Sequence, residues 1–180
     1  MNERTFSGKK IKIRKLSKGD LRNVKKFQDF INSLIEEEAR ILFTKKFSLK
    51  EERKYLEEQL QRIKSHKTVF LVAECDNKVI GTTGIDLHRG REMHVGEFGI
   101  TVRNGYRRIG LGKHLMKEII KLAKKELKPK PKIIRLSVYP NNKPANSLYK
   151  KFGFKKVARI PKQIQYKGKL LDLIIMILEV

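Results

Sequence analysis

Cys75 is the only cysteine, so the chain can build neither an intrachain disulfide nor a cysteine-ligated zinc site. It sits in the apolar run Val69–Cys75 and reads as a small strand residue. Long apolar runs are missing too. The longest, Leu173–Leu178, is too short to cross a bilayer, and Met1–Thr5 carries no signal-peptide apolar segment. The expectation is a cytoplasmic protein with no membrane partner. Acidic residues are scarce: 19 Asp and Glu stand against 43 Lys and Arg, a formal net charge of +24. Such a balance favours phosphates, nucleic acid or acidic partners, but lysines spread along the whole chain equally describe a solvated, charge-rich surface. No basic platform interleaved with aromatics and no helix-turn-helix pattern is present, so nucleic-acid or ribosome contact is allowed by charge but not expected. The histidines show no metal-ligand spacing, and no metal is expected. The 180 residues suit one domain, 1–180, with the polar residues 1–8 expected to be loose.

Within that frame the periodicities are clear. Lys10–Arg14 alternates like a half-buried strand. Leu21, Val24, Phe27, Phe30, Ile31, Leu34 and Ile35 recur at helical spacing. Ser48-Leu49-Lys50-Glu51 is a capping box that opens a second helix through Leu56, Leu60 and Ile63 to about His66. Strands follow at Thr68–Glu74, Lys78–Leu87 and Met93–Val102, then a helix from Leu111, a strand at Ile133–Tyr139 and a short helix at Lys143–Lys151. Phe154–Ile160 and Leu170–Leu178 close the chain as strands. The order β-α-α-β-β-β-α-β-α-β-β predicts an α/β fold with a mixed central sheet of about seven strands and flanking helices.

The stretch Gly99–Lys113 joins a strand to a helix through Arg107-Arg108-Ile109-Gly110-Leu111-Gly112. A helix N-terminus offers unpaired N–H groups and partial positive charge, glycines admit a ligand close to the backbone, and arginines add full charge. This is a cradle for a pyrophosphate. It lacks the hydroxyl that follows Gly-Lys in the ATP-binding loop, because His114 follows Lys113, and it lacks the third glycine of the dinucleotide fingerprint, because Leu115 stands there.

Arg107-x-x-Gly110-x-Gly112 resembles the acetyl-coenzyme A signature of the GNAT superfamily of N-acetyltransferases. A second segment, Val138–Phe154, is similar to that family's V-x-x-x-N-x-x-A-x-x-L-Y-x-x-x-G-F pattern at Asn142, Ala145, Leu148, Tyr149, Gly153 and Phe154. The element order also resembles the GNAT fold over roughly residues 10–180. The resemblance implies a sheet splayed between its fourth and fifth strands, and acetyl-CoA as co-substrate. The cofactor arm would pair with Ile100, Thr101 and Val102 and bond Asn142. Its pyrophosphate would lie against Ile109, Gly110, Leu111, Gly112 and Lys113, with Arg107 and Arg108 neutralising it. Tyr149 corresponds to the family's general acid, in contact with the cofactor. Glu97 is the candidate base, or equally a substrate-binding carboxylate or a rim salt bridge; His94 is a weaker candidate. Where the ribosomal-protein alanine acetyltransferases carry a glutamate, this chain has Ser137.

The function implied is acetyl transfer to a primary amine of a small molecule or protein. A homodimer through the C-terminal strands is allowed by analogy. A basic RNA- or ribosome-associated module, or a non-catalytic coenzyme A-binding regulator, would be the alternatives on the same fold. Acidic residues at Glu36-Glu37-Glu38, Glu51-Glu52 and Glu57-Glu58 flank the expected acceptor side and suggest a cationic amine, although a solvated helix face with i,i+4 pairs reads the same way.

Overall fold

The computed structural model describes residues 2–180. The elements are β1 (Asn2–Phe6), β2 (Lys9–Lys15), α1 (Val24–Glu36), α2 (Leu49–Lys64), β3 (Thr68–Cys75), β4 (Lys78–Leu87), β5 (Val95–Val102), α3 (Leu111–Glu126), β6 (Ile133–Val138), α4 (Lys143–Lys151), β7 (Lys155–Tyr166) and β8 (Lys169–Glu179), with short 3-10 turns at Lys18–Arg22 and Gly90–Glu92. They form one mixed sheet of eight strands in the order β1-β2-β3-β4-β5-β6-β8-β7. Neighbours are antiparallel except β5 and β6, whose crossover through α3 makes them parallel.

The eighth strand comes from the N-terminus. Residues 2–6, expected to be loose on polarity alone, pair with β2 from Asn2↔Ile13 to Phe6↔Lys9. An edge strand needs only one partner and no buried face, so its charged residues carry little hydrophobic signal. At the other edge, β7 runs past the expected end at Ile160, through Pro161, to Tyr166. Proline is tolerated there because an edge strand has one unpaired side, and the register shifts between Ile160 and Ile164 to absorb it.

Each face of the sheet carries its own core. Val69, Leu71 and Ala73 of β3 face α3, whose Leu111, Leu115, Met116, Ile119 and Ala123 cover them. Phe70 and Val72 point the other way, against Val24, Phe27, Phe30 and Leu34 of α1 and Leu56 of α2. This is why Thr68–Cys75 reads as a continuous apolar run rather than an alternating one. Two helices on one face and α3 with α4 on the other leave β5 between them, and β5 is where the sheet opens.

Candidate active site

The parallel ladder between β5 and β6 lasts only from Val95↔Ile133 to Glu97↔Arg135. Beyond that pair the strands part, as the resemblance implies. Backbone groups of Phe98–Val102 on the β6 side therefore have no partner strand. Gly99 adds no bulk, and a Cβ there would meet nothing within 4 Å. An extended ligand with amide groups can pair with such an edge.

At the end of β5 the chain turns through Arg103–Gly110 into α3. Gly110 has φ +88° and caps the helix in the left-handed conformation, which costs a glycine little. His114 N–H donates to the Gly110 carbonyl, so the N–H groups of Leu111, Gly112 and Lys113 form the open first turn. Gly112 stands against Leu148 of α4 and Ile100 of β5, so the cradle, the open edge and α4 converge. Arg108 and Lys113 are exposed beside it. These donors suit an anionic phosphate ester carrying an amide-bearing arm.

Arg107 is more committed than its motif suggests. Its Nε donates to the Val102 carbonyl at 2.7 Å, and its guanidinium pairs with Glu37. It braces the cradle against the segment that follows α1, which leaves Arg108 and the helix N-terminus as the less encumbered positive groups.

Tyr149 is buried on the α3 side of the sheet. Its ring packs edge-on against Phe98, with centroids 6.0 Å apart, and lies 6.0 Å from Phe154. Burial pushes its phenol up to about 12, so it holds its proton at neutral pH. Asn142 caps α4 by accepting from Ala145 N–H through Oδ1, which aims its amide NH2 away from that bond.

Glu97 sits in an ion pair at the rim, one of the alternatives its sequence position left open. Its Oε2 accepts from Arg135 Nε at 2.8 Å and lies 3.3 Å from His88 Nε2. His88 Nδ1 in turn lies 2.9 Å from Glu92. The carboxylate is tied to a cation and lies outside the lining of the cavity described next. His94 precedes β5, where its backbone carbonyl accepts from Lys132 N–H.

That cavity, about 240 Å³ in volume, lies on the α1–α2 face and reaches Gly99, Ile100 and Thr101 of β5. It is roofed by residues 37–48, which have no regular structure yet are pinned at several points. Gln28 and Asn32 side chains donate to the Phe47 carbonyl, and Phe47 N–H donates to Asn32. The hydroxyls of Tyr139 and Tyr166 donate to the carbonyls of Ile41 and Glu38. Glu36, Glu37 and Glu38 pair with Lys46, Arg107 and Lys167. The acidic cluster read as an acceptor-side charge is therefore a set of struts, and Glu51 is spent on the Ser48 capping box. Only Glu52 of the acidic groups singled out in the sequence reaches the cavity. Sequence reasoning passed over the other polar and aromatic lining residues, among them Asp86 and Tyr55; the signal available was the i,i+3 spacing of Glu52 and Tyr55 on α2.

Residues 32–154 match the model of the acetyltransferase (GNAT) family. Over 85 residues the chain is 39% identical to the L-amino acid N-acetyltransferase AaaT of Escherichia coli, covering 47% of this chain and 51% of that protein. Over 109 residues it is 31% identical to the N-alpha-acetyltransferase of Sulfurisphaera tokodaii, covering 54% of this chain and 63% of that one. The chain thus spans about half to three-fifths of the curated relatives it matches. Among solved structures, yncA of Salmonella typhimurium with its cofactor acetyl-CoA superposes with a TM-score of 0.78 at 20% identity, covering 94% of this chain and 93% of that one, a likeness of fold.

Proposed function

The chain belongs to the acetyltransferase (GNAT) family, and we propose that it is a cytoplasmic, single-domain N-acetyltransferase that moves an acetyl group from acetyl-CoA to a primary amine of a small molecule or protein. The observation that carries this reading is the parting of β5 from β6 after Glu97↔Arg135. It opens β5 between the phosphate cradle on one side and the aromatic cavity on the other. The relatives named for acetylating amino acids and α-amines support a primary amine as acceptor.

The residues present fit acetyl-CoA. The β5 edge at Ile100, Thr101 and Val102 would hold its arm, joined by Asn142. The turn at Ile109, Gly110, Leu111, Gly112 and Lys113 would hold its pyrophosphate, with Arg108 and, through its remaining donors, Arg107. Bound acetyl-CoA supplies a thioester-activated acetyl group, and the net change converts R–NH3+ and acetyl-CoA into R–NH–CO–CH3, the free thiol and a proton.

The chain's own part is positioning and proton transfer. Tyr149 holds a proton at Oη for the departing sulfur, and burial among Phe98 and Phe154 keeps that proton in place. An N–H near Ile100 offers a preorganised donor to oxygen charge developing beside it. Glu97 fixes the point of strand separation through Arg135. The test is thiol release from acetyl-CoA by the purified chain across an amine and peptide panel, with the acetylated product identified by mass. Amine-dependent thiol release with an N-acetyl product is expected; coenzyme A binding without release for any amine would overturn the transferase reading.

A further inference from the structure

The cavity beneath residues 37–48 has a chemistry that narrows the acceptor. Its walls are aromatic: Phe27, Phe30, Phe43, Phe47, Tyr55 and Phe70. Two carboxylates reach it, and they differ. Asp86 is committed, since it accepts from Arg62 Nε at 3.1 Å and from the Thr68 hydroxyl. Glu52 is only 5% exposed, and among the described residues its carboxylate has no ion pair or hydrogen bond; its oxygens are not sealed in protein but open on the cavity. No lysine, arginine or histidine lines the cavity among the described residues.

A buried carboxylate without a partner is costly, and it is relieved by a cation that brings its own N–H donors. Aromatic faces around that carboxylate favour an ammonium group and bury an apolar tail. Resting on the acetyl-transfer reading, we propose that the acceptor is a singly charged primary amine with an apolar, preferably aromatic, side chain and no free carboxylate, and that Glu52 receives its ammonium and takes its proton. A free amino acid fits poorly, because its carboxylate would meet Glu52 and Asp86 with no cation to balance it. A polyamine fits poorly as well, because its second charge would face phenyl walls with no second uncommitted carboxylate.

The proton account closes. The nitrogen loses two protons as the N–C bond forms and the C–S bond breaks. One passes through Glu52 to solvent; the other replaces the proton that Tyr149 gives to the sulfur. Burial pushes the Glu52 carboxyl up to about 7, which suits a group that must accept a proton and release it near neutral pH. The titratable groups facing it are Tyr55 on its own helix and Asp86 on β4.

The test is calorimetric titration of the full chain saturated with coenzyme A, using 2-phenylethylamine, phenylalanine, spermidine and a carboxy-amidated peptide with a free N-terminal phenylalanine. 2-Phenylethylamine should bind at least about tenfold tighter than phenylalanine or spermidine. Glu52→Gln should weaken it by about tenfold or more while coenzyme A affinity stays unchanged. Phe43→Ala, at a residue 52% exposed and so dispensable to the core, should weaken it by about three- to tenfold. Peptide binding equal to that of 2-phenylethylamine would assign the amine to polypeptide N-termini. Preference for phenylalanine or spermidine, or a Glu52→Gln protein that binds like wild type, overturns the proposal. Amine binding lost in Glu52→Gln with no thiol release keeps the amine site and overturns only the transferase reading. Thiol release fastest with spermidine does the reverse.

Discussion

Glu97 and Arg135 form the last rung of the β5–β6 ladder, facing each other in register with Arg135 Nε donating to Glu97 at 2.8 Å. The strands separate immediately beyond them. A carboxylate held this way anchors the point of strand separation, and it lies outside the lining of the cavity beneath residues 37–48.

Glu97→Gln should therefore leave the acid limb of the pH–rate profile where it is. The pair is partly exposed, so its loss should cost no more than about 1 kcal/mol in stability. A rise in KM for acetyl-CoA is expected, because the gap is less firmly set. Steady-state kinetics from pH 5 to 9, with thermal melts of the same samples, check this. Loss of the acid limb would return the base role to Glu97.

Glu52→Gln should do the opposite. The native carboxyl is raised to about 7 by burial, whereas an unfolded glutamate titrates near 4.3. Its folded pKa lies above the unfolded one, so the ionised carboxylate opposes folding as pH rises through about 7, by roughly 4 kcal/mol at full ionisation. The variant should melt higher than wild type at pH 8 and lose that advantage near pH 4. Its kcat/KM should fall while the limb near pH 7 disappears. Parallel melts and rate profiles measure both; a variant less stable than wild type at pH 8 would show that the carboxylate already has a partner.

Tyr149→Phe removes the proton donor but leaves the ring packed on Phe98 and Phe154. The expected loss in kcat is about 10²–10⁴-fold with coenzyme A affinity unchanged. Single-turnover thioester cleavage together with calorimetry separates the two. Cleavage at the wild-type rate would reduce Tyr149 to a packing residue.

Gly110→Ala forces a side chain into φ +88° at the N-terminus of α3. The strain should cost about 1–2 kcal/mol and shift the open N–H groups, raising the Kd for coenzyme A more than that for the amine. Gly112→Ala, whose Cβ would make ordinary contact with Leu148 at 3.8 Å, serves as the milder comparison. Equal coenzyme A affinity in both would argue against a phosphate at this turn.

The turn into α3 and the helix caps were legible because their determinants are local. Gly110 takes a conformation that favours glycine, Asn142 caps the helix that follows it, and Ser48 with Glu51 forms the capping box it spells out. The N-terminal strand was not legible, because it gains its hydrogen bonds from β2, residues 3–5 are exposed, and Phe6 alone among residues 3–6 packs on the core. The charge cluster Glu36–Glu38 was misleading for the same reason: its partners, Lys46, Arg107 and Lys167, lie in three separate segments.

The sequence alone determined the order of elements from β2 onward and the glycine turn into α3, since each depends on residues within a helical turn or a strand of one another. Only the tertiary structure decided which acidic group is buried without a protein partner. Glu52 looks in the sequence like any charge on a helix face. Its isolation arises when α1, residues 37–48, β3 and β4 close aromatic side chains around it and bring no cation with them. Burial and unmet charge are properties of that packing, and no short stretch of the chain contains them.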